Sequence, residues 1–292
     1  MDIFFFDRLY YNISLYFGKN NEVIVNLASF QREHIIMKSI VLRLALSLSL
    51  VFSLAVHADP ARVAAAADLK FVLEELAQAF EKQGGGKPAV TYGSSGAITA
   101  QISNGAPFEL FLSADEEYVA RLNSGGFTRD EGVLYATGHL VIVAPKQSAL
   151  EVDAELKGLQ AALKAGKLQR FAIANPEHAP YGRRAVEVLK HAGIWDQIQP
   201  KLVLGENVAQ AAQFATSGST DGGIVALSLV KSPQLANTVK YAEIPESWHS
   251  PQRQRMVLLK NSGENAKAFY DFLQQPAARQ VFRRYGFVLP GE

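Results

Sequence analysis

The chain has 292 residues, 48% hydrophobic and 20% charged, a balance that excludes a disordered polymer and suits a globular one with a sizeable core. Its 29 Lys and Arg stand against 28 Asp and Glu, so a net charge of +1 lacks the basic excess of a nucleic-acid binder. There is no Cys, which excludes disulfides, thiolate metal ligands and a thiol nucleophile.

The first elements predicted are not part of the fold. Met37 and Lys38, with Arg43, precede an apolar run over 44–56, and Val56-His57-Ala58 sets small residues before Asp59. Positive, apolar and small-residue segments in that order make a secretory signal peptide. The run is shorter than the ~20 residues of a membrane span. The sequence therefore predicts a signal peptide over 37–58, a mis-called extension over 1–36 upstream of the native Met37, and an exported mature protein beginning near Asp59.

From there, short apolar strands alternate with amphipathic helices. Strand 63–66 leads to a helix begun by Asp68, with Val72, Leu76 and Phe80 on its inner face and Gly84-Gly85-Gly86 as its stop. Strand 89–92, the turn 93–96, a helix with Ile98 and Ile102, strand 108–112 and a helix with Tyr118 and Leu122 follow. The same pattern gives strands 140–144 and 171–174, helix 183–192, strand 202–204, helix 208–216, strand 222–227 and helices 266–273 and 277–285. This alternation predicts an α/β protein with mixed, mostly parallel sheets. With no repeat or low-complexity linker, two lobes would require the chain to pass between them more than once.

The turns after the strands share a character. Ala67-Asp68, Ser94-Ser95-Gly96, Pro180-Tyr181-Gly182 and Glu206-Asn207-Val208 each lie where a strand hands over to a helix. Open α/β sheets bind ligands there, and helix N-termini present free N–H groups to anions. Hydroxyls and N–H groups suit a tetrahedral oxyanion without an unpaired buried cation. Each residue also has a plain reading: Asp68 and Ser95 as N-caps, Tyr181 as a half-buried aromatic, His178 as a lobe-packing residue. No nucleophile elbow, zinc-binding H-E-x-x-H or phosphate-binding G-x-x-x-x-G-K-[ST] is present, which argues against an enzyme.

Taken together, VAAAADLK at 63–70, YGSSGAITAQISNGAPFELFLSADEEY at 92–118, GHLVIVAP at 138–145, IANPEHAPYGRRAVEVLKHAG at 173–193, LGENVAQAA at 204–212 and GGIVALS at 222–228 resemble periplasmic molybdate-binding proteins. The resemblance covers 61–288. It implies a two-lobed type II periplasmic-binding-protein fold, with 59–137 plus 246–292 as one lobe and 138–245 as the other. It implies a molybdate, and tungstate, carrier that serves an ABC transporter permease in the inner membrane, monomeric and without a cofactor. Its ligand contacts fall on Ala67, Asp68, Ser95, Tyr181 and Val208, which would hold the metal as an oxyanion gripped by its oxygens rather than as a bare cation. A further family position falls on Ala226, which lacks a hydroxyl, so the phenol is expected from Tyr181. Asp68 is expected to offer its N–H and turn its carboxylate away. Sulfate, phosphate or a small organic acid are the alternative ligands, and an enzyme on the same fold the alternative class.

Overall fold

The computed structural model describes residues 16–17, 23–24 and 59–291. Tyr16–Phe17 and Val23–Ile24 pair as a two-residue antiparallel ladder. The signal peptide expected over 37–58, and the rest of the extension over 1–36, lie outside the described residues.

Ten strands follow Asp59: β1 Arg62–Ala66, β2 Ala89–Gly93, β3 Leu110–Ser113, β4 Val133–Gly138, β5 Leu140–Pro145, β6 Phe171–Ala174, β7 Leu202–Gly205, β8 Gly222–Ala226, β9 Val239–Glu243 and β10 Gln252–Leu258. They form two five-stranded sheets, ordered β2-β1-β3-β10-β4 and β9-β5-β8-β6-β7. In the first, β1 is parallel to β2 and β3, while β10 is antiparallel to β3 and β4. In the second, β6 is parallel to β7 and β8, while β5 is antiparallel to β8 and β9. Each sheet thus has one strand, β10 or β5, running against the other four. Both follow a passage between sheets: β4 ends at Gly138 in the first and β5 begins at Leu140 in the second. The chain returns between Glu243 of β9 and Gln252 of β10.

Helices cover both sheet faces, so the central strands are buried throughout rather than alternating. All six residues of β5 are buried, as are all five of β8. In the first lobe α1 (Lys70–Lys82) buries Val72, Leu73, Leu76, Ala77 and Phe80. The Phe80 ring packs, tilted, with its centroid 5.2 Å from those of both Phe269 and Phe272 of a C-terminal helix. Each such buried side chain contributes about 1.5–3 kcal/mol. The helix then ends where Gly84 takes φ +88°, a left-handed conformation that favours glycine.

Several boundaries move for local reasons. The helix expected over 183–192 starts at Pro180, which suits the first helical turn because it has no N–H to satisfy. The strand expected over 222–227 ends at Ala226, and a short helix takes over at Leu227. Residues 133–138, 239–243 and 252–258 are strands without a predicted counterpart.

Candidate functional site

Four chain segments converge between the lobes. Ala67 and Asp68 lie in a 3-10 turn after β1, Ser95 opens α2 (Ser95–Ser103) after β2, Tyr181 lies in the first turn of α5 (Pro180–His191), and Val208 opens α7 (Val208–Thr216) after β7. Together with Ala66, Gly93, Ser94, Ala114, Ala179 and Pro180 they line one small cavity. Ser95 and Val208 are each the first helical residue, so their N–H groups have no acceptor within the helix. All five residues expected at the site therefore meet in one place. Ala226 is not among the lining residues.

The capping expectations need correction. Asp68 caps nothing: its turn has no side-chain cap, and α1 proper begins at Lys70 after Leu69. Its carboxylate is occupied elsewhere. Ser94, rather than Ser95, caps α2, with Oγ accepting from Ala97 N at 3.4 Å. Ser95 is fully buried, and its Oγ accepts from Ala114 N at 3.0 Å. Asn207 caps α7 by accepting from the N–H groups of Ala209 and Gln210.

The carboxyl of Asp68 is bonded to side chains of both lobes. The Tyr181 hydroxyl donates to Asp68 Oδ2 at 3.1 Å, and Gln254 Nε2 donates to the same oxygen at 2.6 Å. Gln254 Nε2 also reaches the Tyr181 oxygen at 3.2 Å, and its own Oε1 accepts from Tyr135 at 2.6 Å. Burial pushes the Asp68 pKa up to about 6, against the opposing pull of these hydrogen bonds. Burial likewise raises the Tyr135 and Tyr181 phenols well above their ordinary range, so both stay protonated. Among the described residues lining the cavity there is no Lys, Arg or His, and Asp68 is the one carboxylate. Nor is there, among the described residues, any group of three or more His, Cys, Asp or Glu that could hold a bare metal ion.

Residues 61–288 match the family model for bacterial extracellular solute-binding proteins. The chain belongs to that family. It is 36% identical over 249 residues to the molybdate-binding protein ModA of Rhodobacter capsulatus, covering 84% of this chain and 95% of the relative. It is 35% identical over 238 residues to the molybdate-binding protein ModA of Azotobacter vinelandii, covering 80% of this chain and 92% of the relative. The solved periplasmic molybdate-binding protein of Azotobacter vinelandii superposes with a TM-score of 0.72 at 32% identity, covering 79% of this chain and 99% of that one. The relatives are solute-binding components of transporters, and the family reading replaces the enzyme alternative.

In such a protein the contacts between lobes matter as much as the cavity, and sequence reasoning missed most of them. Gly96 N–H donates to the His178 carbonyl at 2.9 Å, and Ser94 Oγ lies 2.8 Å from His178 Nδ1. Asp115 Oδ2 accepts from Arg183 at 3.0 Å and Arg184 at 3.2 Å. Ser228 Oγ donates to the Asp68 carbonyl at 2.8 Å. Two glycines permit this approach: a Cβ on Gly96 would sit 2.6 Å from the His178 carbonyl oxygen, and one on Gly138 2.2 Å from the Tyr181 hydroxyl. His178 thus packs one lobe on the other. Gln254 left no signal because it lies in the polar run Gln252-Arg253-Gln254-Arg255, which has no apolar alternation; in the fold the two Gln side chains are the buried ones.

Proposed function

We propose that this chain captures molybdate in the cleft between its lobes and delivers it to the permease of an ABC transporter in the inner membrane. The observation that carries this reading is the convergence of Ala67, Asp68, Ser95, Tyr181 and Val208 on one cavity. There the helix starts and the Ser95 hydroxyl supply hydrogen-bond donors, while the Tyr181 O–H, expected as a donor, is taken by Asp68 Oδ2; no Lys or Arg intrudes, a setting suited to an oxyanion held by its oxygens. The relatives named as molybdate-binding proteins support the choice of anion. Tungstate has the same charge and shape and is the second expected cargo. On this reading the lobes are 59–137 plus 246–292 and 138–245, and the protein works in the periplasm as a cofactor-free monomer.

One observation favours a second anion. Asp68 Oδ1 is buried and has no hydrogen-bond partner. A hydrogen-bearing oxyanion such as phosphate could donate to it. Titration calorimetry of the purified protein with molybdate, tungstate, sulfate and phosphate separates the readings. Tight binding of molybdate and tungstate, with sulfate and phosphate far weaker, is the expected result. Preference for phosphate would replace the reading, and no heat with any of the four would end it.

A further inference from the structure

We infer that the cleft takes up one proton together with its oxyanion, and that the proton bridges Asp68 and an oxygen of the ligand. The inference rests on the molybdate reading above and concerns the chemistry of that same site.

The geometry of the carboxyl sets where a proton can sit. The two side-chain donors that reach it, Tyr181 O–H and Gln254 Nε2, converge on Oδ2, and its own backbone N–H also favours the ionised carboxyl. Oδ1 is buried without a partner, on a residue that lines the cavity. A proton on this carboxyl therefore belongs on Oδ1, leaving Oδ2 as the acceptor of two bonds. Protonated in this way, Asp68 stops repelling a dianion and becomes a donor to it, as a carboxylic acid has one O–H to give. Ionised, it would place a buried negative charge against a ligand carrying two, with no cation among the lining residues to offset it.

The surrounding groups leave Asp68 as the one that titrates. The phenols of Tyr181 on α5 and Tyr135 on β4 face it, and both hold their protons. On β10 Gln254 is neutral, and its neighbours Arg253 and Arg255 are paired with Glu116. The short helix Leu227–Val230, whose Ser228 holds the Asp68 carbonyl, and α7 carry no ionisable residue. Lys70 and Glu74 of α1 and Tyr92 of β2 lie on the neighbouring elements, and the Tyr92 hydroxyl is bonded to the Lys70 carbonyl. Across the cleft His178 meets Ser94 and Glu206. Without ligand, the Asp68 carboxyl is pushed to about 6, so above neutral pH the proton must come from solvent. Molybdate is a full dianion there, and each complex removes one proton from the buffer. The balance is carboxylate plus proton plus dianion giving a carboxylic acid hydrogen-bonded to the dianion.

Titration calorimetry of the purified protein with sodium molybdate at pH 8, in two buffers of different ionisation enthalpy, counts that proton directly. An uptake near one proton per molybdate is expected, falling toward zero at pH 5. The molybdate Kd should rise about tenfold per pH unit above pH 7. In Asp68→Asn the amide oxygen keeps the bonds from Tyr181 and Gln254, and its N–H replaces the carboxylic proton. That variant should bind with a Kd that stays flat over the same range. Tight molybdate binding with no proton uptake at pH 8 overturns the inference and leaves the proposed function standing. Absence of binding at both pH 5 and pH 8 overturns the function itself. The proton count is made on the unaltered chain, so it holds even should the variant fail to fold.

Discussion

Gln254 Nε2 lies 2.6 Å from Asp68 Oδ2, joining residues 186 positions apart in the chain. One lies on β10, the strand on which the chain re-enters the first sheet, and the other in the turn after β1. Gln254 also accepts from Tyr135 and bonds the Tyr181 hydroxyl of the other lobe. It therefore fixes the orientation of the Asp68 carboxyl from below while Tyr181 fixes it from across the cleft.

Gln254→Met keeps the volume and deletes both polar ends. The Tyr135 hydroxyl loses its short bond and Asp68 keeps only Tyr181. Each buried polar group left unpaired costs about 1–3 kcal/mol. The loss should be greater at pH 8 than at pH 5, because an ionised carboxylate depends more on its donors than a neutral one. Urea unfolding at the two pH values measures this, and equal losses would show that Asp68 does not change its charge between them.

Asp68→Asn tests the same carboxyl through stability without ligand. Its pKa rises from 3.8 to about 6 on folding. A raised pKa means that its contribution to stability is full below the unfolded value and is lost as pH climbs through about 6. The displacement corresponds to about 3 kcal/mol. Relative to the variant, the native chain should lose about 2–3 kcal/mol between pH 4 and pH 8. A difference between the two proteins that stays constant with pH would show that the carboxyl titrates normally.

How much of this was legible in the sequence depends on which signal each residue carried. The hydrophobic strands and the α1 face were visible because apolar spacing reports burial whatever lies nearby. The positions of Ala67, Ser95, Tyr181 and Val208 were visible because strand-to-helix turns are local events with local residue preferences. Gln254, Tyr135 and the latch of Gly96 on His178 were not. Their roles arise from contacts 73 to 186 residues apart, or 82 in the latch, and a Gln in a polar run looks the same exposed or buried. For Asp68 only the cap reading failed: a short acidic side chain before a helix suggests a cap, and only the fold brings Tyr181 and Gln254 close enough to bond its carboxyl.

Gly96→Ala addresses closure. The added Cβ would fall 2.6 Å from the His178 carbonyl oxygen on the opposite lobe, a contact between backbones that cannot be relieved by a side-chain rotation. Within its own helix the change is favourable, since Ala exceeds Gly by about 1 kcal/mol in helix propensity. The clash falls on a contact made in the ligand-free chain as well, so at about 1–3 kcal/mol it should outweigh that gain and lower the melting temperature, while molybdate affinity falls by about tenfold or more and the radius of gyration shrinks less on binding. Unimpaired affinity with normal compaction would mean that the lobes meet differently when loaded.

Ser95→Ala separates a binding hydroxyl from a structural one. Ser95 Oγ accepts from the Ala114 N–H at 3.0 Å, which engages a lone pair and leaves its own proton to donate. Ser95 is completely buried on the cavity wall, and the capping of α2 belongs to Ser94. Removing the hydroxyl therefore leaves the cap intact, strands the Ala114 N–H and takes one donor from the anion. The stranded N–H should cost about 1–3 kcal/mol of stability. The lost bond to a charged ligand should cost about 1.5–3 kcal/mol of affinity, roughly ten- to hundredfold in Kd. Ser94→Ala removes the cap of α2, at a cost of about 1 kcal/mol of stability, together with the contact of its Oγ to His178 Nδ1 on the other lobe. Calorimetric titration of Ser95→Ala with molybdate decides its role: a lower melting temperature with an unchanged Kd would make the hydroxyl a brace for Ala114 and remove it from the ligand shell.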